Sequence, residues 1–185
     1  MNKGLKFLLG SILIVLPFMF TASYADEKPI SMTWEGTVTD TAVNVATAEP
    51  PIPDLPANYI DAQVRGSFGP ASLGVLSEFV FAGFCDAEET VLYLVFAYSK
   101  PIITFKSGDQ LWGDITLGNG YMCLDTATGE YYGSADGSYT GGTGRFEGAG
   151  GSFVVDFAGT NLALPTLGVT FGTIYGEING MVELP

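Results

Sequence analysis

The chain has 185 residues, a formal net charge of −13 and no histidine. The missing imidazole excludes Ser-His-Asp and Cys-His nucleophilic catalysis and histidine-ligated zinc, while the surplus of acids repels nucleic acid and anionic membrane surfaces. Twenty-five glycines, and no helical period sustained beyond the N-terminal stretch, argue against long helices.

Lys3 and Lys6 precede Phe7–Phe20, an apolar run of fourteen residues. A spanning helix needs about 18 or more, and Ser23-Tyr24-Ala25 places small residues before a cleavage point at Asp26. Residues 1–25 are therefore expected to be a signal peptide, an uncleaved anchor being the alternative. The product, secreted or periplasmic and without membrane attachment after cleavage, is expected to be one domain over 26–185. It keeps 160 residues and a charge of −15, because the leader carries two lysines and no acid. A domain of that size buries about 70% of its unfolded surface.

In Ile30–Val38 the side chains of Ile30, Met32, Trp34 and Val38 alternate with Ser31, Thr33, Glu35 and Thr37, which predicts a strand with one wet face. Thr39–Asn58 carries Pro50, Pro51, Pro53 and Pro56 and reads as an extended loop, either a lid or plain surface. Tyr59–Phe68 reads as a strand that Gly69-Pro70 ends. Leu73–Phe84 is apolar without a clear period. Thr90–Tyr98 is apolar on both faces, which calls for a second layer or an oligomer interface. Pro101 is expected to interrupt it. Ile102–Phe105, the turn Lys106–Asp109 and Gln110–Leu117 read as a hairpin, Asn119-Gly120 as a type I′ turn, and Thr126–Gly129 as a further hairpin turn. In Gly168–Leu184 the glycines Gly168, Gly172, Gly176 and Gly180 recur every four residues on one face with Thr170, Ile174, Ile178 and Val182. Alternating small and large residues suit the tapering interior of a small barrel.

Cys85 and Cys123 are the only cysteines. In an exported chain a disulfide is the expected state, with two buried free thiols as the alternative. No EF-hand loop or Asp-rich nonapeptide repeat is present, so no metal and no cofactor are expected. Turn signals about every 8–12 residues point to an all-β meander, and closing it removes exposed edges. The expected fold is an eight-stranded, or near eight-stranded, antiparallel β-barrel; a two-sheet sandwich is the alternative.

Between the strand-like runs Tyr131–Thr140 and Ser152–Ala158 lies Gly141-Gly142-Thr143-Gly144-Arg145-Phe146, followed by Gly148-Ala149-Gly150-Gly151. It reads as a tight corner with Phe146 plugged into one end of the core. This run resembles the Gly-Gly-(Thr/Ser)-Gly-x-Phe segment of the allene oxide cyclase and dirigent barrel families, and the whole pattern resembles bacterial exported proteins with an allene-oxide-cyclase-like barrel. The resemblance implies an eight-stranded barrel and a homotrimer; it carries over no catalytic residue.

Strand-borne acids are Glu35, Asp61, Glu78, Asp114, Asp125, Asp136, Asp156, Glu177 and Glu183. Two meeting inside the barrel would supply an acid and a base, but solvation on the outer face is the expectation. Tyr131, Tyr132, Tyr139 and Tyr175 are expected to pack rather than to relay protons, and Arg145 to anchor the corner to a carboxylate. The resulting expectation is a non-catalytic barrel with an apolar lumen that binds a small apolar ligand or a protein partner. The alternative is a cyclase- or isomerase-like enzyme acting on a small hydrophobic substrate.

Overall fold

The computed structural model describes residues 26–40, 57–164 and 169–185. The expected signal peptide, most of the Pro-rich loop and Gly168 lie outside them. The described residues form nine strands: β1 (Asp26–Asp40), β2 (Asn58–Gly66), β3 (Ala71–Phe84), β4 (Val91–Phe105), β5 (Gln110–Asp114), β6 (Gly120–Asp125), β7 (Glu130–Gly142), β8 (Gly150–Leu164) and β9 (Val169–Leu184). Every pairing is antiparallel. The order β3-β2-β1-β9-β8-β7 closes through β5 and β6 onto β4, which pairs back to β3. β5 and β6 do not pair with each other. Each lies between β4 and β7, so together they make one stave of an eight-stave barrel.

The inner face is laid out as a checkerboard. Gly176 of β9 pairs with Trp34 of β1 on one side and Phe157 of β8 on the other, and Phe157 pairs in turn with Gly133 of β7. Four residues along β9, Gly180 lies between Ile30 and Phe153, and Phe153 faces Gly137. A Cβ on Gly176 would sit 2.8 Å from Trp34 Cζ2, and one on Gly133 2.5 Å from Phe157 Cζ. The period-four glycines are thus seats for bulky residues of the neighbouring staves. The outer faces carry Ser31, Thr33 and Glu35 on β1 and Asp61, Gln63 and Arg65 on β2, all exposed.

One end of the barrel is sealed. The turn Gly144–Phe146 joins β7 to β8 and buries Phe146 completely. Its ring packs on Phe105 at 4.9 Å and Phe68 at 5.4 Å between centroids. The backbone of Gly144 has φ +60°, and a Cβ there would meet the Asp109 side chain; glycine is required on both counts.

Two expectations about the strands need correction. β4 runs unbroken through Pro101, which is tolerated because the ladder to β5 is interrupted there: pairing begins at Ile102, and Ser99 makes only an isolated bridge to Ile115. Asn119-Gly120 does not reverse the chain; residues 116–119 form an excursion within the single β5–β6 stave. β3 lacks a clear period because its register against β4 shifts at Glu78/Phe79 and again at Phe81/Gly83. Each irregularity offsets the alternation of side chains.

Candidate functional site

The barrel encloses an apolar cavity of about 70 Å³. Its walls are aromatic and aliphatic, with Trp34, Phe79, Phe96, Phe153 and Phe157 supplying most of the rings. Met122 adds a flexible side chain that repacks readily. The cavity extends away from the sealed end, toward Val38, Asn58, Ile60, Tyr131 and Asn161. β1 ends and β2 begins at that end.

Polar groups on the wall are few. The hydroxyls of Ser77 and Ser99 hydrogen-bond each other at 2.8 Å and are buried. Tyr131 donates its phenol to the Thr173 carbonyl at 3.0 Å, and burial holds that phenol above its ordinary pKa. Tyr139, packed against Phe153 at 4.9 Å, is shifted the same way for the same reason. Trp34 is 5% exposed, and its indole Nε1 has no hydrogen-bond partner.

No carboxylate lines the lumen among the described residues. Glu35, Asp61, Asp136, Asp156, Glu177 and Glu183 are exposed. Asp114 pairs with Lys100, and Asp125 accepts from the backbone N–H groups of Ala127 and Thr128 at 2.8 and 3.2 Å. Glu78 departs from the expected solvation: it is 3% exposed, at the first register shift of β3. The tyrosines do not converge either, since Tyr131 and Tyr139 are buried whereas Tyr132 and Tyr175 are exposed. Among the described residues no cluster of acids and cysteines has the makings of a metal site. The unpaired Trp34 nitrogen was not legible in the sequence, where Trp34 is one more apolar residue in an alternating strand.

Cys85 and Cys123 are joined, with their Cα atoms 6.0 Å apart. The bridge ties the end of β3 to β6 across β4. It borders a depression of about 490 Å³ on the outer side of the same end, near Asp86, Asp125 and Glu130. At the corner, Arg145 Nε lies 3.5 Å from Asp109 Oδ2, the carboxylate anchor that its flanking glycine and phenylalanine suggested.

No protein-family model matches the chain, and no curated protein matches it. Among solved structures, it is similar to the pterocarpan synthase dirigent protein GePTS1, at 13% identity over 84% of this chain and 86% of that one, with a TM-score of 0.33. It is also similar to Ail, the attachment invasion locus protein of Yersinia pestis, at 12% identity over 84% and 97% of the two chains, with a TM-score of 0.18. Scores this low say nothing of activity. The chain is an all-β closed barrel.

Proposed function

We propose that this is an exported, non-catalytic barrel that takes a small neutral apolar molecule into its lumen. The observation that carries the reading is the wall itself: a cavity lined by aromatic and aliphatic side chains, bordered by no Asp, Glu, Lys or Arg among the described residues. Such a wall rewards burial of hydrocarbon and penalises any charge brought in without a partner. Ligand pockets usually measure about 300 Å³ or more, so entry requires the 70 Å³ cavity to widen at the end away from the corner. A cyclase- or isomerase-like activity needs an acid or base at the reacting atoms, and the one phenol at the wall among the described residues, Tyr131, already donates to a carbonyl.

The test is extraction of the purified protein into organic solvent, followed by mass spectrometry. A neutral hydrophobic compound present in stoichiometric amount supports the reading. A lumen that stays empty and takes up no apolar probe overturns it. Export is tested separately, by N-terminal sequencing of the protein from its native host: a mature chain beginning at Asp26 supports it, and a retained Met1 does not.

A further inference from the structure

The strongest unexplained group in the molecule is the indole nitrogen of Trp34. An indole N–H donates and never accepts, and buried polar groups without partners are rare in folded proteins. The second tryptophan shows the usual arrangement, with Trp112 Nε1 donating to Gln110 Oε1 at 3.2 Å. Trp34 is 95% buried, borders the lumen and has no acceptor. Nearby hydroxyls do not supply one: Ser77 and Ser99 bond each other, and Tyr131 faces Thr173. The Tyr139 hydroxyl, also without a partner, borders a separate cavity of only about 10 Å³.

We propose that Trp34 is the polar anchor of the lumen, donating from Nε1 to a neutral acceptor oxygen, such as a carbonyl or an ether, on an otherwise hydrocarbon ligand. This rests on the lumen-binding reading above and names the class of ligand. A carboxylate is excluded as the anchor's partner because, among the described residues, no lysine or arginine borders the cavity to balance it. A lone water is a poor substitute. A buried water needs about 2–4 polar partners, and on the lumen side Ser77 and Ser99 are taken by each other and Tyr131 by Thr173. The aromatic rings then hold the body of the ligand, and Trp34 sets its orientation.

The experiment uses the full chain, labelled with 15N, and two probes of the same shape, cyclohexanone and methylenecyclohexane, which differ in the acceptor oxygen. The two indole N–H resonances report separately. Cyclohexanone is expected to move the Trp34 resonance downfield and to leave that of Trp112 in place. It is also expected to bind about five-fold more tightly than methylenecyclohexane, the factor that one net hydrogen bond provides. In Trp34→Phe the preference disappears while both probes still bind; in Trp112→Phe it survives. The spectrum of the unsubstituted protein decides the matter even where Trp34→Phe fails to fold. A Trp34 resonance that exchanges with water and does not move at saturating cyclohexanone means that water alone occupies the site, and overturns the proposal. Equal affinity for the two probes, or a preference that persists in Trp34→Phe, overturns the anchor and leaves lumen binding standing. Failure of both probes to bind overturns both readings.

Discussion

Arg145 has its guanidinium carbon 4.8 Å from the ring centroids of Phe105 and Phe146 and 5.2 Å from that of Phe68. The charge lies over three ring faces and is half exposed, so the attraction is at the modest end, about 1 kcal/mol, with little added by the Asp109 pair in water. Arg145→Met keeps the apolar stem and removes the charge; it is expected to lower stability by about 1 kcal/mol. Phe146→Ala empties a fully buried site and is expected to cost about 3–5 kcal/mol. Urea denaturation compares them, and equal losses would refute the division of roles. Two turn carboxylates shape the response to acid. Asp86 is held below the usual carboxylate range by the Thr90 hydroxyl and by the Val91 backbone N–H. Asp125 is held low by the backbone N–H groups of Ala127 and Thr128. A folded-state pKa below the unfolded one stabilises the fold above the unfolded value, about 3.9, and that contribution vanishes as the pH falls through the lower folded value. Asp125→Asn is therefore expected to lower the melting temperature at neutral pH and to flatten its fall below about pH 4. An acid limb parallel to that of the unsubstituted protein would refute this.

The pairing of large and small residues across staves governs the elements. Gly176→Ala pushes a methyl group against Trp34 and the Asp156 carbonyl, and overpacking of this kind costs about 1–3 kcal/mol. Gly74→Ala is the control, since its Cβ meets nothing nearer than the Tyr59 hydroxyl at 3.4 Å. A Gly176→Ala protein as stable as Gly74→Ala would show that the seat is not tight. Half of this pattern was legible in the sequence. The glycine period of β9 announced a small-and-large face, but the partners that fill it, Trp34 and Phe157, come from staves far away in the chain. Local alternation gave β2 and β9 nearly their true limits but found only the middle of β1, Ile30–Val38 within Asp26–Asp40. It failed for β3 and around Pro101, where register shifts and a gap in the ladder offset the period, and at Asn119-Gly120, where turn-forming residues make an excursion inside one stave. Cys85 and Cys123 were legible from count and spacing, and the bridge is present. Closing a 38-residue separation restricts the unfolded chain, so Cys123→Ser is expected to cost about 4 kcal/mol in the chain-entropy model. Retention of the original urea midpoint after reduction would refute that.

At the scale of the whole molecule the barrel is polar along its axis. Its corner end holds fully buried side chains, Phe146, Val64 and Val182 among them, and the Phe68–Phe105–Phe146 cluster under Arg145. The other end surrounds the cavity, with Asn58 and Asn161 only partly buried at its rim. Segments with few buried apolar contacts open locally at less free energy than global unfolding requires. Amides of Met32, Leu111 and Val182 are thus expected to exchange with solvent deuterium only through global unfolding. Those of Val38, Ile60 and Thr173 are expected to exchange sooner, through local opening. The same asymmetry supplies a route into the lumen, because the end that opens is the one toward which the cavity extends. A ligand that seats against Trp34 then stabilises the closed form by mass action. Exchange at Leu111, which needs global unfolding, should slow by the full binding factor, and exchange at Val38 and Ile60 by nearly the same factor, because the local opening at that end also releases the ligand. Exchange at Val38 and Ile60 that the ligand leaves unchanged would mean that this end opens without releasing it, and slower exchange at the cavity end of the free protein would place the entrance elsewhere.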